Sequence, residues 1–199
     1  MTTDFNPPTT TLFSFAAAAA SATVSINYDS LRGYSIQKSD AGAASTDRLV
    51  FQGKAVPAST PWTATMKIDT RVVGSGDFDR IGISLYDTVS GKLLLHGINF
   101  QGGTIDLTTM YFTALGTFSA SPYSQAVVGT LPQWFRVSFD GTTYTFAISF
   151  DGNITWVTVA SLAAASYFTA NKVGIALETF AVPVINPTAL ILYYNDPDF

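Results

Sequence analysis

The feature that most constrains the fold is a run of alternating residues with two glycine turns, between positions 134 and 159. Apolar residues at every second position, from Tyr144 to Phe150, alternate with threonine, alanine and serine. This period is the pattern of a β-strand with one buried face. Asp140-Gly141 precedes the run and Asp151-Gly152-Asn153 follows it, and glycine accepts the positive φ of a tight hairpin turn. The stretch therefore predicts a three-stranded antiparallel meander.

Strand and turn signals of the same kind recur along the rest of the chain. Apolar or alternating segments occupy residues 63–72, 81–87, 92–100, 171–177 and 189–194, with turn-forming residues between them. Many short strands separated by turns are typical of a sandwich. One glutamate and five lysines are too few for long helices. We predict an all-β fold, a two-sheet antiparallel jelly-roll sandwich.

Two segments near the N-terminus are less regular. The run Ala16–Ala20 favours a helix by propensity, but strand-forming residues on both sides favour a strand, which is our prediction. Residues 1–11 are polar and contain Pro7 and Pro8. We predict an N-terminal arm at 1–11 and a single β-sandwich domain at 12–199. Because ordering a polar segment costs conformational entropy, we expect the arm to order only against a partner surface.

Charge and cysteine content exclude several classes of function. The formal net charge is −4, and the ten lysines and arginines are scattered singly, whereas nucleic-acid binders cluster them to neutralise phosphates. The chain has no cysteine, so disulfides, thiolate zinc sites and a cysteine nucleophile are excluded. The first thirty residues lack the pattern of a signal peptide, and no apolar run is long enough for a membrane span. We expect neither nucleic-acid binding nor membrane insertion.

Catalytic and metal-binding patterns are weak. Asp196 and Asp198 lie in tail sequence where aspartate commonly caps backbone donors, and no serine lies in a nucleophile elbow. His96 has no acidic neighbour, so we interpret it as an ordinary sheet residue. Asp77, Asp79 and Asp87 are weak calcium candidates if their loops converge, since calcium takes six to eight oxygen ligands. We expect no other cofactor.

Several segments together carry a resemblance to a known family. In the stretch Ser149-Phe150-Asp151-Gly152-Asn153-Ile154-Thr155-Trp156, a strand end and an Asp-Gly turn lead to a tryptophan. With the segments 61–68, 81–86, 134–141 and 172–177, it is similar to the concanavalin A-like lectin/glucanase superfamily, in its laminin-G-like branch. Residues 47–51 and 57–62 resemble stand-alone versions found in bacteriophage structural proteins.

The resemblance implies a fold more firmly than a function. Glycoside hydrolases of this superfamily use two glutamates on one strand, and Glu178 is the chain's single glutamate. We therefore predict that the protein is not an enzyme. The favoured hypothesis is a non-catalytic bacteriophage virion protein, a head fibre, decoration or tail-associated adhesion module. Such a protein is made in the host cytoplasm, located in the virion, and contacts other virion proteins or copies of itself.

The alternative hypothesis is a lectin-like carbohydrate-binding module that recognises a host or other cell-surface glycan. Aromatic side chains in loops are the candidates, because loops carry recognition more often than strands do. Residues 102–130 are rich in threonine, serine and glycine, and we expect them to be mostly loop. The predicted glycan-binding residues are Tyr111, Phe112, Tyr123 and Trp156. For Trp134 and Trp156, packing in the core or on a sheet face is the other interpretation.

Overall fold

The computed structural model describes residues 4–20, 22–40, 47–70, 78–127, 129–178, 180 and 188–198. Fourteen strands and one short 3₁₀ helix, Ala164–Ser166, lie in these residues. The strands are β1 Phe15–Ala18, β2 Ala22–Asp29, β3 Gly33–Asp40, β4 Val50–Ala55, β5 Trp62–Thr70, β6 Asp79–Tyr86, β7 Leu93–Gln101, β8 Thr104–Ala114, β9 Thr117–Ala126, β10 Trp134–Phe139, β11 Thr143–Ser149, β12 Val157–Ala163, β13 Lys172–Glu178 and β14 Thr188–Asn195.

The strands form two seven-stranded sheets, and every paired strand within them is antiparallel. Sheet I has the order β12-β11-β10-β5-β14-β3-β2, and sheet II has the order β1-β4-β13-β6-β7-β8-β9. The predicted meander is the β10-β11-β12 part of sheet I. The all-β sandwich predicted from the alternating pattern is therefore confirmed.

The core lies between the sheets because alternate residues of each strand point into it. Sheet I contributes Tyr34, Met66, Phe135 and Phe146, and sheet II contributes residues such as Ile83, all fully buried. Since these residues occupy one face of each strand, their neighbours in sequence point away from the core. The outer face of sheet I is formed in this way and carries part of the candidate site described below.

The outer face of sheet II is also covered. Phe51, Leu95 and Phe112 belong to a second buried apolar cluster on this face. The segment that contains Leu49 lies over it, with the Leu49 amide bonded to the Leu115 carbonyl at 2.9 Å. With both faces buried, the central strands of sheet II lack the alternation of apolar and polar residues that marks a half-exposed strand.

Two expectations about local structure are wrong. Residues 104–114 and 117–126 are the long strands β8 and β9 rather than loop. Their alternation is hidden because β8 is buried on both faces, whereas nearly every residue of β9 is exposed. The N-terminal segment contacts the chain's own β14, and not only a partner surface: the backbone amide of Asn6 donates to the Leu192 carbonyl at 2.9 Å, and its backbone carbonyl accepts from the Tyr194 amide.

The strand prediction for the alanine run is confirmed for residues 16–18, since Phe15–Ala18 pairs with β4, whereas Ala19 and Ala20 follow the strand. The division into an arm at 1–11 and a domain at 12–199 stays a prediction. Among the described residues, no helix has the length and apolar character needed to cross a membrane.

Candidate functional site

Phe150 is an exposed aromatic ring between two hollows in the surface. It follows the last residue of β11, and 57% of its surface is exposed. The hollows have volumes of about 590 and 380 Å³, and Phe150 and Thr130 line both of them. We call the larger hollow the edge groove, the smaller one the cationic pocket, and the two together the Phe150 cleft.

The edge groove lies where the two sheets leave a gap between their last strands, β9 of sheet II and β12 of sheet I. The walls are mainly apolar, and Tyr123, Gln125 and Thr158 supply polar groups. The Tyr123 hydroxyl donates to Gln125 Oε1 at 2.8 Å, which fixes both side chains at the rim. The other lining residues are Leu107, Ala126, Val127, Ile148, Val157 and Val159.

The cationic pocket lies on the outer face of sheet I. Strand register places Trp134 of β10 between Lys67 of β5 and Ser149 of β11. Lys67 Nζ lies 5.4 Å from the centre of the Trp134 ring and 3.9 Å from Asp4 Oδ2. Because the Asp4 contact is long and partly exposed, it neutralises the lysine only weakly. The pocket therefore offers one ammonium group beside an aromatic wall, together with the Asp4 carboxylate, which lines it as well.

The turn from β11 to β12 holds Phe150 outward. Asp151 Oδ1 accepts hydrogen bonds from the Thr155 amide and the Ser149 hydroxyl, each at 2.8 Å. These bonds, the one from the Thr155 amide first, lower the pKa of Asp151 to about 2. Gly152 and Asn153 take positive φ, 77° and 71°. The ionised carboxylate thus fastens the turn, and the strand ends before Phe150 can point into the core.

A third hollow, of about 420 Å³, lies further along the same face and contains Arg136. The Arg136 guanidinium carbon lies 3.7 Å from the centre of the Trp156 ring. Arg136 Nε donates to Thr65 Oγ1 at 3.2 Å, and Nη2 donates to Asn153 Oδ1 at 3.1 Å. Burial lowers the pKa of Arg136. We call this hollow the Arg136 pocket.

The structure does not bring the four predicted glycan-binding residues together. Tyr123 lines the edge groove, and Trp156 covers Arg136. Tyr111 is stacked on Tyr167, with ring centres 4.0 Å apart, and lines neither hollow of the cleft. The prediction for Phe112 is wrong, because its side chain is fully buried in the second apolar cluster and has no contact with solvent.

Three residues of this surface were missed by sequence reasoning. Phe150 continues the apolar alternation from Tyr144, so the pattern predicted that it points inward. The Asp151-Gly152 turn directly after it was the signal that the strand ends there. Lys67 and Arg136 lie on strands that pair across a separation of about seventy residues, and no local pattern specifies that register.

The predicted convergence of aspartates on calcium is wrong for the two that can be located. Asp79 and Asp87 lie at opposite ends of β6, about 25 Å apart at the usual rise per residue. Asp87 holds the following turn by accepting from the amides of Val89 and Ser90. Asp77 lies outside the described residues. Within those residues, no group of three histidine, aspartate or glutamate side chains is placed to hold a metal ion.

Glu178 and His96 are both buried away from the cleft. Glu178 bonds to Arg80 Nη1, which also bonds to Asp47 Oδ1 at 3.1 Å. Burial is the main cause that raises the pKa of Glu178, to about 8. His96 is fully buried in β7, with Nδ1 3.0 Å from Thr109 Oγ1. The interpretation of His96 as a sheet residue is confirmed, and Glu178 is inaccessible to a substrate.

Comparison with models of protein families gives no match, and comparison with curated proteins gives none either. Among solved structures, a functionally unknown protein from Saccharomyces cerevisiae is similar, with a TM-score of 0.62 and 16% identity. The similarity covers 89% of this chain and 96% of that one. The exoplasmic/lumenal domain of VIP36, in its Ca²⁺/Man-bound form, has a TM-score of 0.53 and 7% identity, covering 89% and 82%.

A xylan β-1,4-xylosidase from Bacillus halodurans C-125 is also similar. Its TM-score is 0.58 at 12% identity, and the similarity covers 82% of this chain but 32% of that one. At these identities the likeness shows the fold alone, which is the concanavalin A-like jelly-roll sandwich. Because the similar structures include both an enzyme and a sugar-bound domain, the fold leaves catalysis open.

Proposed function

We propose that the chain is a non-catalytic carbohydrate-binding module that holds a saccharide in the Phe150 cleft. The observation that carries the proposal is the exposed Phe150 ring between two hollows that also offer polar groups. An aromatic face provides apolar contact for the C–H face of a sugar ring, and the sugar hydroxyls then need hydrogen-bonding partners. Gln125 and Thr158 are such partners on one side of Phe150, and Lys67 is one on the other.

The size of the cleft supports the proposal. The edge groove and the cationic pocket, at about 590 and 380 Å³, each fall within the range of about 300–1,000 Å³ usual for small-molecule sites. The two hollows meet at Phe150, so a saccharide of several rings can lie across it. The similarity to the Ca²⁺/Man-bound domain of VIP36 agrees with this function but does not place the site.

The carboxylates around the cleft support the non-catalytic part of the proposal. A glycosidase needs two carboxyl groups that flank the scissile bond, one of them protonated near neutral pH. Asp151 has a pKa of about 2 and is engaged in the turn, so it is a poor acid. Asp4 pairs with Lys67, and Glu178 is buried on the other sheet. We therefore propose binding without hydrolysis.

The test is a glycan array followed by titration of the tightest ligand against two variants. Phe150→Ala removes the proposed stacking surface, and Leu31→Ala is the matched control because Leu31 is 87% exposed on the β2–β3 turn. We expect at least a tenfold loss of affinity for Phe150→Ala, none for Leu31→Ala, and an unchanged melting temperature for both. Equal affinity of Phe150→Ala and wild type, or an array without any bound glycan, would refute the proposal.

The assignment to a bacteriophage particle is a narrower proposal. It rests on the resemblance of residues 47–51 and 57–62 and on a charge-poor surface, and the three structures named above are not described as virion proteins. Virion partners, self-association and virion location belong to this narrower proposal. Its test is mass spectrometry of purified particles from a phage that encodes the chain, in which the chain must be present at structural copy number.

A further inference from the structure

Arg136 is a partly buried cation without a carboxylate partner in the part of the chain that the structure describes. No aspartate or glutamate oxygen of those residues lies within 4 Å of its guanidinium, whereas Arg80 and Lys54 each bind at least one carboxylate. The chain has fourteen acidic and ten basic residues, so carboxylates are not scarce. Because burying a cation costs free energy unless an opposite charge compensates it, an unpaired guanidinium in a pocket points to an anionic ligand.

The guanidinium is held in a fixed orientation. Trp156 stacks on one face, and Thr65 and Asn153 accept from Nε and Nη2. Arginine has five N–H donors, and Nη1 bonds to none of the described residues. The side chain thus presents free donors from an orientation that is already set, which reduces the entropy lost when a ligand binds.

The walls of the Arg136 pocket are compatible with an anion. Thr63 and Asn195 supply neutral polar groups. Asp196 also lines the pocket, but both of its carboxylate oxygens bind Lys54 Nζ, at 2.9 and 2.8 Å. The Tyr194 hydroxyl donates to the same carboxylate at 2.6 Å. The negative charge of Asp196 is therefore compensated inside the protein and does not oppose an anion at Arg136.

The Arg136 pocket is close to the Phe150 cleft. Arg136 follows Trp134 by two residues on β10 and so lies about 7 Å further along the same outer face. Phe150 lies at one end of the turn between β11 and β12. Asn153 and Trp156 lie towards the other end of this turn and contact Arg136. A ligand that reaches past this turn touches both sites.

We propose that the Arg136 pocket binds the carboxylate of an acidic saccharide whose remaining rings lie in the Phe150 cleft. The inference rests on the proposed function and adds the class of ligand. A planar guanidinium matches the two oxygens of a carboxylate better than it matches a hydroxyl. Lys67, in the cationic pocket of the cleft, is a second cation near the ligand, and Asp4, which lines the same pocket 3.9 Å away, offsets part of its charge.

The experiment compares uronate- and sialate-containing oligosaccharides with their methyl esters, in which a neutral ester that is larger by one methyl group replaces the charged carboxylate. Binding is measured by titration for wild type, Arg136→Gln and Arg136→Lys. Arg32→Gln is the matched control, because the Arg32 side chain is 86% exposed. We expect wild type to bind at least one acid about ten- to a hundredfold more tightly than its ester, as charged hydrogen bonds allow. Arg136→Gln abolishes that preference, Arg136→Lys keeps part of it, and Arg32→Gln keeps all of it.

The outcomes separate this inference from the proposed function. Saccharide binding that depends on Phe150 but is equal for acids and esters overturns the inference and leaves the proposed function standing. A preference for acids that survives in Arg136→Gln also overturns it. The absence of any saccharide binding overturns both. The comparison of acids with esters in wild type needs no variant, so equal binding overturns the inference even if Arg136→Gln does not fold. In that case Arg136→Lys tests the contribution of Arg136, because it must weaken the preference for acids.

Discussion

When the pH is lowered from 7 to 5, the titration of His96 by itself should lower the stability of the fold by a measurable amount. The imidazole is fully buried between the sheets, with ring centres 6.0 Å from Phe135 and 5.2 Å from Phe146. Burial disfavours the charged form and lowers the pKa of His96 from 6.5 to about 3. The unfolded chain therefore takes up a proton below pH 6.5, while the folded chain stays neutral until about pH 3.

The size of the effect follows from the two pKa values. A group whose pKa is depressed on folding stabilises the native state above its unfolded pKa, and that stability is lost as the pH falls toward the folded pKa. For a pKa of 6.5 in the unfolded chain, the loss between pH 7 and pH 5 is about 2 kcal/mol. At pH 5 the folded state has not begun to titrate at this site, so the loss is not recovered.

The assay is urea unfolding of wild type and His96→Gln at pH 7 and pH 5, followed by tryptophan fluorescence. Glutamine does not titrate and keeps a polar group near Thr109, which lies 3.0 Å from His96 Nδ1. Carboxylates titrate alike in both proteins, so the difference in unfolding free energy between them isolates His96. We expect that difference to shift by about 2 kcal/mol in favour of the variant at pH 5. A difference independent of pH would refute the reasoning.

Three further predictions concern packing, charge burial and metal dependence. Gly97→Ala should lower the free energy of unfolding by about 3 kcal/mol, because the added Cβ would lie 2.0 Å from the Ile81 carbonyl oxygen. Gly116→Ala is the control and should be near neutral, because the nearest atom to its Cβ is 3.4 Å away. Thermal unfolding measures both variants. Lys54→Met should lower the free energy of unfolding by about 3 kcal/mol, because it leaves the buried Asp196 carboxylate without an opposite charge. The double variant with Asp196→Asn should regain part of that stability. Saccharide affinity should be unchanged by EDTA, and a loss that added calcium reverses would contradict the site described above.

Much of the fold could be predicted because half-buried strands leave a visible pattern. Alternation located β5, β10 and β11, and the Asp140-Gly141 turn fixed the hairpin between the last two. Adjacent residues of a strand point to opposite faces, and accordingly Tyr194 is buried whereas Tyr193 packs against Trp134 on the outer face. The alternating pattern did not reveal β8 and β9, because the two faces of each of these strands lie in the same environment. The polarity of a residue then no longer indicates which face its side chain is on.

The candidate site was less accessible to sequence reasoning because it depends on pairing between distant strands. Tyr123 was found through its aromatic side chain, but Lys67 and Arg136 come to the same face only when β5 pairs with β10. The exposure of Phe150 depends on the residue at which a strand ends, and the alternating pattern does not specify that residue. Trp156 was singled out for a glycan, and the structure gives it a different contact, the guanidinium of Arg136.

A crystal structure of the chain with its tightest array glycan tests the central claim most directly. We predict electron density for a sugar ring stacked on Phe150 at about 4 Å, the usual contact distance between carbon atoms. Further rings should extend into the edge groove or toward Lys67. Density for the saccharide on another face, with Phe150 still exposed to solvent, would contradict the account.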